Sequence, residues 1–486
     1  MRLAAALLCL GMLIAPATTS EPEALAQAPA TELRVGIARP GGGYTITSMP
    51  LETYVARVVA GEAARDSEPA ALEALAITVR TFALANRDRH RADGFDLCDQ
   101  THCQVVRTAT TATSKAAEQT AGRVLLHDGV PASIYYSASC GGRTEIPSAV
   151  WPGAKDPSYL PSRRDDACGG APAWTTDLAD DDLVRALHAA GFRGDLRDVR
   201  IMSRNASGRV ARLRLDGMTP PEISGQDLRV VVGRTLGWLH IKSTAFDVNR
   251  AASSYRFAGH GSGHGVGLCV IGSANLAVEG KTADEILGRY FPGLDIAPFA
   301  GPSRTVAAAP VRTAASGVLV SLPDGDDGER GSIDESARRA RDELARTLGV
   351  PAPPKITLRF HPTTDSFERA TGQPWFVSGA VVNEELHFTP LTALRSRGIL
   401  DRVIRRELVL FLTSSVLARR PMWVREGVAV YFSDGSDQAP SSRVSCPSDA
   451  ELTRPVSAGA LSNAYARARA CVAKQIAAGR SWRDVK

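Results

Sequence analysis

The sequence predicts an α+β protein built from more than one domain. Strand-like and helix-like segments follow one another without a regular βαβ alternation. The composition, 44% hydrophobic against 22% charged, is too apolar for a disordered chain. A length of 486 residues exceeds what one core comfortably holds, and the composition breaks near residue 301. Lys plus Arg number 57 against 52 for Asp plus Glu, a formal charge of +5 with no basic block, which argues against a nucleic-acid partner.

Met1-Arg2 gives a short positive start and Leu3 to Ile14 an uncharged apolar run. Small residues follow at Ala15-Pro16-Ala17 and Ala26-Gln27-Ala28. This is the layout of a signal peptide over residues 1–28. The run is too short to span a bilayer comfortably. The mature chain is therefore expected to be secreted, periplasmic or cell-wall-associated, with no transmembrane segment.

The first domain is expected over residues 31–298. Glu32 to Ala38 and Tyr44 to Ile46 read as strands. Leu51 to Ala64 reads as a helix, because Tyr54, Val55, Val58 and Val59 share one face. Pro69 opens a second helix with Leu72, Leu75, Ala76, Val79 and Phe82 on its apolar side. Arg123 to Leu126 and Ser133 to Tyr136 read as paired strands around the turn His127-Asp128-Gly129. A linker is expected at 299–331, from Gly301-Pro302-Ser303 through the acidic Asp324-Gly325-Asp326-Asp327-Gly328-Glu329. Ser332 with Glu335 then forms a capping-box pattern, and Gly349 closes that helix. Residues 332–486 form the smaller, mainly helical domain.

Export makes disulfides the default for the cysteines. Cys446 with Cys471 is the natural pair in the C-terminal region, and Cys140 with Cys168 the next. Each closed loop would contribute about 3–4 kcal/mol. Cys269 is left as a small buried hydrophobe. His90, Cys98, His102 and Cys103 offer two imidazoles and two thiolates, a set suited to tetrahedral zinc in a structural role; a Cys98–Cys103 disulfide is the alternative.

Three stretches of the first domain stand out together: Tyr54-Val55-x-x-Val58-Val59-x-x-Glu62 with Pro69 to Ala83, then Tyr136-Ser137-Ala138-Ser139-Cys140-Gly141-Gly142-Arg143-Thr144-Glu145, then Gly263-His264-Gly265-Val266-Gly267-Leu268 followed by Tyr290-Phe291-Pro292-Gly293. In this order and spacing they resemble the SpoIID/LytB (stage II sporulation protein D) family. The resemblance implies a peptidoglycan-acting protein of cell-wall remodelling or sporulation. Its expected activity is that of a lytic transglycosylase, which cleaves the MurNAc–GlcNAc bond and closes a 1,6-anhydro ring. That chemistry asks for a single carboxyl group acting as acid and then base, with no cofactor. Glu62 matches the family's catalytic Glu, and its place at the end of an apolar helix face favours a raised pKa.

Arg80, Ser139, Gly141, Gly142 and His264 are the expected substrate-binding residues; the other reading is a structural anchor for Arg80 and a tight structural turn, stapled by Cys140 to Cys168, for Ser139 to Gly142. The resemblance also brings zinc to the His90, Cys98, His102, Cys103 cluster, as in some family members. Two departures from the family pattern, Ala63-Ala64 where Met-Pro is usual and Cys269-Val270 where a Gln is usual, favour the alternative. In that alternative the protein is a non-catalytic wall binder that enhances a partner amidase.

The C-terminal region resembles a gluzincin peptidase domain of the MA clan, from Phe367 to Trp375 and from Pro421 to Phe432. The helix that should carry the His-Glu-x-x-His pair reads Arg406-Glu407-Leu408-Val409-Leu410. Both histidines are missing, while Glu407 and Glu426 stand at the general-base and third-ligand positions. An active metallopeptidase is therefore not expected.

Overall fold

The structure, a computed structural model, describes residues 31–39, 43–87, 89–101, 103–299, 317–434 and 445–486. The expected signal peptide and the first part of the expected linker lie outside the described residues. The fold is α+β and contains three major cores.

The first core forms around the helix Pro69–Ala85. Leu72, Leu75, Ile77, Val79 and Phe82 are all buried there, so this helix is apolar nearly all round and sits inside the domain rather than on it. The helices Leu51–Glu62, Thr111–Gln119, Val270–Val278 and Ala283–Tyr290 surround it. A three-stranded sheet, in the order Tyr44–Pro50, Glu32–Ala38, Leu97–Cys98, flanks them. Each fully buried Val or Leu of this set contributes about 1.5–3 kcal/mol.

The strand after the His127-Asp128-Gly129 turn is Val130–Pro131, which pairs with Arg123–His127. The expected second strand at Ser133 to Tyr136 is displaced: Tyr136–Ser137 pairs in parallel with Leu268–Cys269 instead. Pro131 cannot donate to a ladder, so the hairpin ends after two residues.

A second core interrupts the region read from sequence as one domain. Ala173–Ala179 pairs with Ser254–His260, which pairs with Phe246–Arg250. The long hairpin Arg193–Arg204 with Val210–Thr219 and the helices Asp180–Ala189 and Gly225–Leu236 complete it around Phe192, Leu213, Phe246 and Phe257. Its two ends meet where the Gly261 N–H donates to the Pro172 carbonyl at 2.8 Å, so it is an insertion that leaves the first core intact.

The third core belongs to the C-terminal region, which is mainly helical and also contains a sheet. Its order is Gly317–Ser321, Lys355–Phe360, Glu385–Phe388, Gly379–Val382, the first three parallel and the last antiparallel. The helices Arg330–Leu348, Leu400–Leu417, Met422–Asp434 and Ala458–Ala477 accompany it. Cys446 and Cys471 are bonded.

From residue 317 onward the expected linker is ordered structure. The acidic stretch is buried and paired: Asp326 with Arg234 at 3.0 Å, Asp327 with Arg89 at 3.3 Å, and Glu329 with Arg395. Carboxylates out of water need such partners. The following helix begins at Arg330 rather than Ser332, whose hydroxyl donates to the Glu329 carbonyl at 2.9 Å instead of capping. Gly349 ends it in the left-handed conformation, φ 62°. Among the described residues no helix is long and apolar enough to cross a membrane.

A candidate active site around Glu62

Glu62 ends the helix Leu51–Glu62 and faces a cleft of about 320 Å³. Segment 104–107 docks along this helix: the Arg107 N–H donates to the Arg57 carbonyl at 3.0 Å, and the Val105 N–H donates to Glu62 Oε1 at 2.8 Å. Gly61 permits the approach, since a Cβ there would lie 2.2 Å from the Val105 carbonyl oxygen. Burial raises the Glu62 pKa, opposed by the Val105 N–H, the Arg107 charge and the Tyr136 hydroxyl. Burial in turn pushes Tyr136 well above the usual phenol range, so its hydroxyl stays a donor toward Glu62. Gln104 donates to the Tyr136 oxygen at 3.2 Å and fixes it.

The parallel pairing of Tyr136–Ser137 with Leu268–Cys269 brings two sequence motifs onto one wall of the cleft. Tyr136, Ser137 and Ala138 come from one motif, and Ser262, Gly263 and His264 from the other. Trp151 and Tyr135 pack on the His264 ring at centroid distances of 5.0 and 6.0 Å. Burial, with Arg229 and Arg209 nearby, lowers the His264 pKa to about 3. Its Nδ1 accepts from the Val266 N–H at 3.0 Å, and the Tyr136 backbone engages the ring as well. His264 is thus a neutral, oriented wall of the cleft.

Arg229 reaches the cleft from the inserted unit and has no carboxylate partner among the described residues; its Nε donates to the Lys242 carbonyl at 3.1 Å. Among the described residues two carboxylates line the space, Glu62 and Asp327, and Asp327 is engaged by Arg89. A larger cavity, 640 Å³, adjoins at Arg89, Tyr135, Asp327 and Gly328, so this ion pair stands between the two spaces.

Several expected binding residues lie elsewhere. Arg80 is fully buried, ion-paired with Glu52 at 2.5 Å and donating to the Ala117 and Arg123 carbonyls, both at 3.0 Å. It anchors helix 69–85 and does not line the cleft. Ser139 is buried, and its hydroxyl donates to the Ala171 carbonyl, away from the cleft. Gly141 and Gly142 adopt φ of 69° and 91°, and a Cβ on either would crowd the backbone of Gly261 or Gly170. Their conformation is that of a tight internal turn, and neither residue lines the cleft.

His90, Cys98 and Cys103 place one ligand atom each within 4.8 Å of the others, all three residues buried. The Cys98 and Cys103 sulfurs stand 3.1 Å apart, unbonded, and His90 Nε2 is 3.3 Å from Cys103 Sγ. Asp93 Oδ2 lies 3.2 Å from the other ring nitrogen of His90, the usual backing for a metal-bound imidazole. The fourth expected ligand, His102, lies outside the described residues. Cys140 and Cys168 are unbonded, against the expected pairing. Both meet Cys269 and Asp165 in a second buried cluster, so Cys269 is more than a hydrophobic filler.

Residues 41–127 match the SpoIID family, described as Stage II sporulation protein, and residues 172–267 match a domain of unknown function (DUF8618). The chain carries a SpoIID family domain. The second match coincides with the inserted core. The Stage II sporulation protein D of Bacillus amyloliquefaciens is 25% identical over 284 residues, covering 52% of this chain and 76% of that protein. That of Bacillus subtilis (strain 168) is 26% identical over 279 residues, with the same coverage, 52% and 76%. The Amidase enhancer of Bacillus subtilis (strain 168) is 26% identical over 274 residues, covering 46% of this chain and 37% of that protein.

In the C-terminal region Arg406 forms ion pairs with both Glu407 and Glu426, and its guanidinium donates to the Tyr465 hydroxyl at 2.7 Å. Burial raises the Glu407 pKa to about 7, with Arg406 pulling it down and Glu426 pushing it up.

Proposed function

We propose that this is an exported cell-wall protein whose SpoIID domain is a lytic transglycosylase for MurNAc–GlcNAc strands. The supporting observation is Glu62: a half-buried carboxyl with a raised pKa, facing a cleft where the other carboxylate among the described residues is held by Arg89. A two-carboxylate hydrolase needs a second free acid or base to activate water or attack the sugar. A lytic transglycosylase needs none.

Protonated Glu62 gives its proton to the glycosidic oxygen as that bond breaks. The carboxylate so formed takes the proton of the C6 hydroxyl while that oxygen bonds to C1 and closes the anhydro ring. The Val105 N–H fixes the carboxyl in position, and Tyr136 donates to its ionised form. The Tyr135, Trp151 and His264 rings offer apolar faces to sugar carbons, and Arg229 offers a cation to an anionic or carbonyl group of the strand.

His90, Cys98 and Cys103 fit a zinc ion in donor type and spacing. Bound there, the ion would act as a structural cross-link. Cys103 lies two residues before Val105, so an ion there would steady the segment that holds Glu62.

The C-terminal region fits a peptidase-like domain that has lost its metal. The Arg406 guanidinium sits between Glu407 and Glu426 and supplies the positive charge that the pair requires.

The amidase-enhancer reading draws on the similarly named Bacillus subtilis relative and on buried Cys269-Val270 at the position of the family's polar residue. The test is mass spectrometry of products from denuded glycan strands incubated with the mature protein and with Glu62→Gln. Anhydro-muramyl ends from the first alone support the enzyme. Intact strands from both, with the protein folded and zinc supplied, overturn it in favour of the enhancer.

A further inference from the structure

Beside the strand pair that forms the cleft wall, four buried groups converge. Cys140, Cys168, Cys269 and Asp165 each bring one ligand atom within 4.8 Å of the others. Cys140 Sγ is 3.2 Å from Asp165 Oδ2. Cys269 Sγ accepts two backbone N–H groups, from Cys140 at 3.2 Å and Gly272 at 3.3 Å, the pattern that supports a thiolate ligand. Cys168 Sγ meets the Ser139 hydroxyl at 3.2 Å. The Tyr290 hydroxyl donates to Asp165 Oδ2 at 2.9 Å and orients it. A Cβ at Gly272 would lie 2.7 Å from that same oxygen, so glycine keeps the space open.

We propose that Cys140, Cys168, Cys269 and Asp165 form a structural tetrahedral site for a soft divalent ion, zinc foremost. This site is separate from His90, Cys98 and Cys103. Zinc–sulfur bonds of about 2.3 Å place tetrahedral ligand atoms about 3.8 Å apart, a small adjustment from the present spacing. Binding releases the thiol protons to solvent and forms three zinc–sulfur bonds and one zinc–oxygen bond.

Three thiolates and a carboxylate around a divalent ion leave a net charge of about −2. Two guanidiniums stand by: Arg209, buried and donating to the Cys140 carbonyl at 2.6 Å, and Arg289, 3.5 Å from Asp165. A disulfide between any two of the cysteines would leave the third thiol unused beside Asp165, whereas an ion uses all four. The ion would pin the Ser139–Gly142 turn and the 165–170 loop to the start of helix Val270–Val278, directly after the His264 loop.

The experiment uses the full mature chain with Cys98→Ser and Cys103→Ser, which removes the other candidate site. Zinc is measured by elemental analysis, and intact mass is measured under denaturing, non-reducing conditions. A single zinc per chain is expected, with alkylation of the three thiols slowed until a chelator is added. Cys269→Ser should lose the zinc. The cobalt-loaded form should show thiolate-to-metal charge transfer, shifted in Asp165→Asn. If Cys269→Ser does not fold, the Asp165→Asn shift and the thiol protection decide. A folded Cys98→Ser/Cys103→Ser chain without zinc, a mass lower by two hydrogens beyond the Cys446–Cys471 bond, or zinc retained in folded Cys269→Ser would each overturn the proposal.

Discussion

Glu62 and Glu407 are two glutamates on helices whose pKa values burial raises, yet their surroundings differ in one respect. Glu62 opens on a cleft and is met by the neutral donors Val105 N–H and Tyr136; these and the nearby Arg107 charge lower its pKa without a direct ion pair. Glu407 is wholly enclosed, with the Arg406 guanidinium paired directly to it. A buried carboxyl with space in front of it can exchange a proton with a substrate. The same group locked to a permanent cation becomes part of the scaffold. On the proposed function, one directly paired arginine separates the glutamate that could serve as an acid from the one built into the scaffold.

The largest expected effect is on catalysis. Glu62→Gln should lower the rate of anhydro-end formation by on the order of 10²–10⁴-fold, leaving the thermal midpoint close to that of the wild type. Product mass spectrometry and a melting curve on the same sample check both halves. A rate within a few-fold of wild type would remove Glu62 from the chemistry.

The converse holds for the other glutamate. Arg406→Met leaves Glu407 and Glu426 without their cation, and should cost about 3–5 kcal/mol in urea unfolding of the full chain. Glycan cleavage per folded molecule should not change. A loss below about 1 kcal/mol would mean that Glu407 simply takes up a proton, and the contrast between the two sites would shrink.

The pH profile sharpens the contrast further. The folded-state pKa of Glu62 lies above its unfolded value, so the native protein retains the proton to higher pH. Transglycosylase activity should therefore be present at low pH and fall as pH rises through that raised pKa. Stability should shift in the same sense, since ionising a buried carboxyl disfavours the native state.

The smallest effect is expected at Tyr136. Its hydroxyl lowers the Glu62 pKa, so Tyr136→Phe should move the alkaline limb of the rate profile upward. Losing a neutral hydrogen bond of about 0.5–1.5 kcal/mol corresponds to at most about one pH unit. An unmoved limb would show that Tyr136 only fills space.

Much of the first core was legible because its signals are local. The strand Glu32–Ala38 and the start of the helix Pro69–Ala85 fall where periodicity and the proline place them. The inserted core was not legible, since residues 172–267 lack a composition break and only the antiparallel pairing of Ala173–Ala179 with Ser254–His260 separates them. Arg80, Ser139, Gly141 and Gly142 belong to recognisable motifs, but a motif does not say which way a side chain points. The pairing with Leu268–Cys269 leaves Tyr136, Ser137 and Ala138 at the cleft, while the Ser139 hydroxyl bonds toward Ala171.

Local sequence thus determined the α+β class, the helix that ends in Glu62 and the presence of a carboxyl suited to acid catalysis, because helix periodicity and proline positions act over a few residues. Tertiary structure decided what surrounds that carboxyl. Val105 reaches Glu62 only because Gly61 lets another segment approach, and Asp327 arrives at the cleft from a stretch that reads as linker. Desolvation and charge pairing depend on neighbours tens to hundreds of residues away in the chain, and no local pattern encodes them.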